Sequence, residues 1–283
     1  MGDYFRPDSL SDALTLLSKK KLTVIAGGTD YFPKNVGKPM GDPLLDIAAV
    51  KSLSGIIQSD EGWEIGPTTT WSKILKADLP SLFDGLKSAA KEIGGRQIQN
   101  SGTIGGNVCN ASPAADGIPV LMTLNAFVEV SHVQGTRRIA IGDFILGNRQ
   151  TRLQSNEILT NILIPHTDPL RTRSAFYKVG SRRYLVISTI MVAGMVEWND
   201  QFEVTNCKIA VGSCSSVAVR LNELEQALVG LKLSEGLANK MIVDHFAELT
   251  PLTDLRATAE YRKSSAFALV KGLLNDWSPI NGA

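Results

Sequence analysis

The chain is poor in the residues that most often carry chemistry. Among its 283 residues there are three cysteines and three histidines, and aromatic side chains make up 6%. Cys109, Cys207 and Cys214 form no CxxC pair and cannot close a disulfide framework among themselves. An iron–sulfur cluster normally needs more cysteine ligands than the chain has, so none is expected here. His132, His166 and His245 are widely spaced and show no metal-ligand grouping, so no metal site is expected either. No Ser–His–Asp or Cys–His arrangement points to covalent catalysis, and no catalytic residue is assigned. No apolar run approaches the ~18 residues that span a bilayer. The opening stretch, MGDYFRPDSL, has no basic n-region, no apolar h-region and no twin arginine, so a cytoplasmic location is expected. The net charge of +1 gives no reason to expect nucleic acid or an anionic membrane as partner.

Glycine is what the chain does use, in two motifs. Ala26-Gly27-Gly28-Thr29-Asp30 follows the apolar run Leu22-Thr23-Val24-Ile25. Thr103-Ile104-Gly105-Gly106-Asn107 continues to Asn110-Ala111-Ser112-Pro113 and Asp116. Successive glycines let a backbone turn with positive φ and bring its N–H groups to a ligand unshielded by any Cβ. Such N–H groups form concavities that hold phosphate oxygens. Two on one chain could grip both halves of a pyrophosphate, which points to a dinucleotide. The first motif alone is weak evidence, because a tight turn after a buried strand looks the same. Neither motif is the GxGxxG dinucleotide fingerprint.

The elements around these motifs can be read from periodicity. Ser9 is placed to cap a helix with apolar Leu10, Ala13, Leu14 and Leu17. Strands are expected at 22–26 and 44–47, with a hairpin joining Ile56-Ile57 to Trp63-Glu64-Ile65. Helices are expected over 71–77 and 82–93, the latter stopped by Gly94-Gly95, and over 118–124. Strands follow at 127–131, 138–141 and 158–164. Pro165-His166-Thr167-Asp168-Pro169 breaks the pattern and marks a domain boundary. Beyond it come three strands, 175–179, 188–198 and 204–211, then helices over 221–228, 234–249 and 256–274. The class is α+β.

The series strand-AGGTD, GRQIQNSGTIGGNVCNASPAAD and IPVLMTLNA resembles the FAD-binding (medium) subunit of the molybdenum hydroxylases, the flavoprotein family of xanthine dehydrogenase and carbon monoxide dehydrogenase. FYKVGSRRYLVISTIMVAGMV, KIAVGSCSSVAVR and LTDLRATAEYRKSSAFALVKGLL resemble that family's C-terminal domain, so the likeness covers essentially the whole chain. It implies a two-subdomain FAD-binding domain of the vanillyl-alcohol-oxidase/PCMH type over 1–168, with subdomains 1–55 and 56–168. A C-terminal three-stranded antiparallel sheet with helices would follow over 169–283.

By resemblance, Val24, Ile25, Ala26, Gly27, Gly28, Thr29 and Asp30 form one wall of a non-covalent FAD site. Thr103, Ile104, Gly105, Gly106 and Asn107 form the other. Asp116 corresponds to an acidic residue toward the adenosine half of FAD, with an N-cap for helix 118–124 as its competing role. Leu159 and Lys178 match two further cofactor contacts, Lys178 reading equally as an exposed lysine on an edge strand. Arg96 and Gln99 stand where relatives often have proline and arginine, so the contacts of that turn differ.

The resemblance implies an electron-transfer function, since a flavin couples one-electron clusters to a two-electron acceptor such as NAD. The implied partners are a molybdopterin-binding large subunit and a small subunit bearing 2Fe-2S clusters, with an entry surface near Cys109 and Asn110. A self-contained flavin oxidoreductase, or an assembly protein that has lost the flavin, are the alternatives.

Overall fold

The computed structural model describes residues 2–37, 41–233 and 236–277. They form two compact units. The first comprises residues 1–77, 94–111 and 125–166, and the second 78–93, 112–124 and 167–283.

Besides the two-stranded ribbon Ile145–Gly147/Gln150–Thr151, the first unit contains two main sheets. The smaller is parallel, with Leu44–Asp46 between Tyr4–Phe5 and Thr23–Ile25. The helix Leu10–Lys19 covers it, burying Ala13, Leu14 and Leu17 with Leu45, Ile47, Val50 and Leu53. The helix begins where expected, because the Ser9 hydroxyl accepts the Asp12 N–H at 3.1 Å. The larger sheet is antiparallel, in the order Ile56–Ser59, Gly62–Ile65, Ile158–Pro165, Phe127–His132, Gly135–Ala140. The latest strand in sequence thus lies at the centre, between two hairpins formed earlier in the chain.

The second unit is built on an antiparallel sheet ordered Thr172–Val179, Ile190–Trp198, Val204–Gly212, Val219–Arg220. The two-residue edge strand Val219–Arg220 extends the three expected strands to four. The helix Ala259–Trp277 packs on this sheet so closely that a Cβ on Gly194 would lie 2.4 Å from the Leu273 side chain. It starts later than expected because the Thr258 hydroxyl accepts the Tyr261 N–H, while Asp254 takes the N–H groups of Arg256 and Ala257. The helices Asp84–Glu92 and Gly117–Thr123 also belong to this unit, the former through the Gly85 N–H donated to Ser174 Oγ at 2.9 Å.

The helix expected over 234–249 is not formed. Ser234 and Glu235 lie outside the described residues. Beyond them are only the single turns Leu237–Lys240 and Val243–Phe246. The apolar pattern breaks at Ile242 and Val243, both β-branched and more than half exposed, and Ile242 is extended at ψ 162°.

Candidate functional site

Within the first unit the fold brings the two glycine motifs together. The first leaves the parallel strand Thr23–Ile25 and turns at Gly28, whose φ of 66° is the left-handed conformation that glycine tolerates. A Cβ on Gly28 would also lie 2.4 Å from the Phe32 ring. Phe32 begins the next turn by donating its N–H to Gly28 O at 3.0 Å. The second motif approaches from the side of Gly27. A Cβ on Gly27 would lie 1.8 Å from Ser101 O, and one on Gly102 would lie 3.4 Å from Thr29 Oγ1. The absence of a side chain at Gly27 is therefore what lets the two segments touch.

The second motif is not a loop. Thr103 caps the short helix Ile104–Asn110, its hydroxyl accepting the Gly106 N–H at 3.0 Å. Ile104 N–H goes to Thr69 O at 3.0 Å, Gly105 N–H to Pro67 O at 2.9 Å and Asn107 N–H to Thr103 O at 3.0 Å. The donors of Gly105 and Gly106, expected to face a phosphate, are thus already satisfied, and neither residue has positive φ. Gly105 is glycine for packing, since a Cβ there would lie 2.4 Å from Pro67. Gly106 is different: it is exposed, and a Cβ there would meet only Thr103 Oγ1, at 3.0 Å. Next to it, Asn107 Oδ1 is buried without a hydrogen-bond partner. A half-turn of that amide exchanges acceptor for donor, so the position suits a ligand hydroxyl, an imide N–H or a phosphate oxygen.

On the first segment, the N–H groups of Gly27, Gly28 and Thr29 donate to no acceptor among the described residues. These free donors, the bare face of Gly106 and the orphaned Asn107 amide fit a dinucleotide. Val24 and Ile25 supply the strand, Ile25 being buried and paired in register with Asp46. Leu159 lies on the central strand Ile158–Pro165, 3% exposed and beside a register shift, so its side chain is core. Asp30 is exposed, and its Oδ2 accepts from Arg149 Nη1 at 2.9 Å. Cys109 is half-buried on the second helix, and burial pushes its thiol up to about 12, which makes it a poor nucleophile at neutral pH.

Asp116 and Lys178 belong to the second unit and are bound to each other. Lys178 Nζ lies 2.7 Å from Asp116 Oδ2, and both side chains are 5% exposed. Ser188 donates to Asp116 Oδ1 at 2.5 Å, and Lys178 also reaches Glu92 O at 3.2 Å. Asp116 does occupy the N-cap position of Gly117–Thr123, but its side chain makes no capping bond. Burial pushes its carboxyl above the ordinary range, against the pull of Lys178 and Ser188. Lys178 stands on an edge strand, as one reading had it, but its ammonium is buried. A cofactor contact by either residue would share groups that this ion pair already engages.

Arg149 and Ser188 were not found from the sequence. Arg149 meets Asp30 and Asn110 across 119 and 39 residues, so no local spacing announces it. Among the described residues no group of three or more His, Cys, Asp or Glu is placed to hold a metal ion, and no helix is long and apolar enough to cross a membrane.

Comparison with known proteins bears on this arrangement. Residues 1–167 match the FAD binding domain in molybdopterin dehydrogenase, and residues 175–276 match the CO dehydrogenase flavoprotein C-terminal domain. The nicotinate dehydrogenase FAD-subunit of Eubacterium barkeri is 30% identical over 97% of this chain and 95% of its own length. The glyceraldehyde dehydrogenase medium chain of Sulfolobus acidocaldarius is 31% identical, over 92% of each. Among solved structures, reconstituted CO dehydrogenase from Oligotropha carboxidovorans superposes with a TM-score of 0.86 at 27% identity, covering 96% of each chain. The architecture is therefore the two-domain FAD-binding fold of the vanillyl-alcohol-oxidase/PCMH type with a C-terminal sheet. The chain belongs to the molybdopterin dehydrogenase/CO dehydrogenase flavoprotein family.

Proposed function

We propose that this chain is the FAD-carrying electron-transfer subunit of a cytoplasmic molybdenum hydroxylase. It would take electrons from 2Fe-2S clusters on a small partner subunit and pass them to NAD or another acceptor. Substrate would be hydroxylated on a molybdopterin-binding large subunit. Residues 1–168 form the FAD domain in this reading and 169–283 the family's C-terminal domain. The observation that carries it is the pair of glycine segments in the first unit, in contact at Gly27 and Ser101, one with N–H groups at Gly27, Gly28 and Thr29 that have no acceptor among the described residues, the other with the bare face of Gly106 and the orphaned Asn107 amide. Membership of a family described by its FAD-binding domain supports the choice of dinucleotide.

When bound, FAD supplies the chemistry that joins single-electron donors to a hydride acceptor. The chain's own residues hold and position it. Gly28 and Thr29 offer backbone donors to the pyrophosphate, and the Thr29 hydroxyl adds a donor that needs no counter-charge. The empty space over Gly106 lets the ligand approach the helix backbone, and Asn107 meets a polar group of the ligand there. Cys109, held as an un-ionised thiol, leaves the helix beside the site free of competing redox chemistry and suits close approach of an electron donor.

The test uses the purified chain free of molybdenum. With NADH it is expected to reduce artificial dyes once loaded with FAD, and to leave purines, aldehydes and carbon monoxide unoxidised. Hydroxylation of any of these by the isolated chain would overturn the electron-transfer reading.

A further inference from the structure

Arg149 ties the two glycine segments together by hydrogen bonds. It lies in the turn between the short strands Ile145–Gly147 and Gln150–Thr151. Its φ is 57°, a left-handed conformation that few long side chains adopt. The Arg149 N–H holds it there by donating to Ala111 O at 2.9 Å. Ala111, itself at φ 45°, closes the helix that carries the second motif. From this anchored position Arg149 Nη1 donates to Asp30 Oδ2 at 2.9 Å and to Asn110 Oδ1 at 2.8 Å. One residue thus joins the last residue of the first segment to the end of the helix bearing Gly106 and Asn107.

We propose that Arg149 is a positioning residue for the cofactor site, a clamp that fixes the first glycine segment against the second. The proposal rests on the FAD reading given above. A pyrophosphate that bridges two segments must find both in place at once. A segment free to drift is ordered only on binding, and that ordering subtracts from affinity. The clamp also settles the charge. Asp30 carries a carboxylate at the end of the segment that would receive an anion, and the Arg149 guanidinium balances it locally. Asp30 accordingly acts through Arg149. The pair is about half exposed, with side-chain accessibilities of 46% for Arg149 and 53% for Asp30. Exposed pairs contribute little to folding, so the effect belongs in cofactor affinity.

The experiment is a titration of the flavin-free full-length chain with FAD, followed by quenching of flavin fluorescence. Arg149→Gly removes the guanidinium while keeping a residue at ease with positive φ. Its FAD affinity is expected to fall by about tenfold, with the thermal midpoint shifted by no more than about 2 °C. Added guanidinium ion, well below denaturing concentration, restores part of the loss, and Arg149→Lys is intermediate. Asp30→Asn in the Arg149→Gly background recovers affinity, because it removes the uncompensated carboxylate, so the two substitutions are not additive. Hydrogen exchange in the absence of FAD gives a second readout, with faster exchange over residues 27–30 in Arg149→Gly. Wild-type affinity in Arg149→Gly, from a chain whose wild type binds FAD tightly, overturns the clamp and leaves the FAD reading intact. A wild type that binds no FAD overturns that reading, and the clamp with it. If Arg149→Gly fails to fold, Arg149→Lys and Asp30→Asn decide the matter, and wild-type affinity and exchange in both overturns the clamp.

Discussion

Gly27 and Gly106 lack side chains for opposite reasons. At Gly27 a Cβ would collide with Ser101 O at 1.8 Å, so the residue serves the contact between two segments of the chain. At Gly106 a Cβ would meet only Thr103 Oγ1, at 3.0 Å, so no packing against another segment requires glycine there, and the proposed role is to leave room for the cofactor. This separates two substitutions that look alike in sequence. Gly106→Val is expected to weaken FAD binding by well over tenfold, that is by more than about 1.4 kcal/mol, with the thermal midpoint unchanged or slightly raised, since valine is the better helix former. Gly27→Ala is expected to lower affinity and thermal midpoint together. Calorimetric titration beside a thermal melt checks both, and an unchanged FAD affinity in Gly106→Val removes this face from the site. The importance of these glycines was legible in the sequence, but the reason for each was not. A Thr-Ile-Gly-Gly run suggests a loop because glycine is a poor helix former. The cap at Thr103 and the close approach of Pro67 to Gly105 make it a helix start instead.

At the scale of elements, the strand Ile158–Pro165 is held at its entrance by an ion pair. Arg137, on the outer strand Gly135–Ala140, donates Nε to Glu157 Oε1 at 2.7 Å and Nη2 to Oε2 at 2.8 Å. Glu157 is 2% exposed, and these bonds, chiefly, hold its carboxyl below the usual carboxylate range. A depressed folded value means that the stabilisation is fully present above the unfolded value of about 4.3. It is lost as pH falls through the folded value. Arg137→Met is therefore expected to cost about 1–2 kcal/mol at neutral pH, with the gap from wild type closing below about pH 4 as Glu157 protonates. Urea unfolding at several pH values measures this, and a gap independent of pH would show that Glu157 is not its source. Strands and helices with regular burial were legible. Ala13, Leu14 and Leu17 lie on one face of their helix and are buried together. The stretch 234–249 misled because its apolar residues are numerous without keeping one face: Met241 is buried while Ile242 and Val243, directly after it, are exposed.

For the molecule as a whole, the pairings that matter run over long separations. The helix Asp84–Glu92 meets the strand Thr172–Val179 through Gly85 and Ser174, 89 residues apart. A Cβ on Gly212 would lie 2.8 Å from Pro119. The order of elements was readable from periodicity and turn chemistry, but partners so distant leave no mark on local spacing, and Arg149 is the same case at the site. The family was legible because its glycine motifs, unlike those pairings, are contiguous in the chain. This chain is proposed to carry FAD between its two glycine segments. The most direct measurement is a titration of the flavin-free wild-type chain with FAD, followed by acid precipitation of the complex. On this proposal, saturation at one FAD per chain, loss of that binding in Gly106→Val, and release of all yellow colour into the acid supernatant are expected. Flavin that stays free and dialysable, or that binds wild type and Gly106→Val equally, would contradict it, and colour retained on the precipitated protein would contradict the non-covalent assignment.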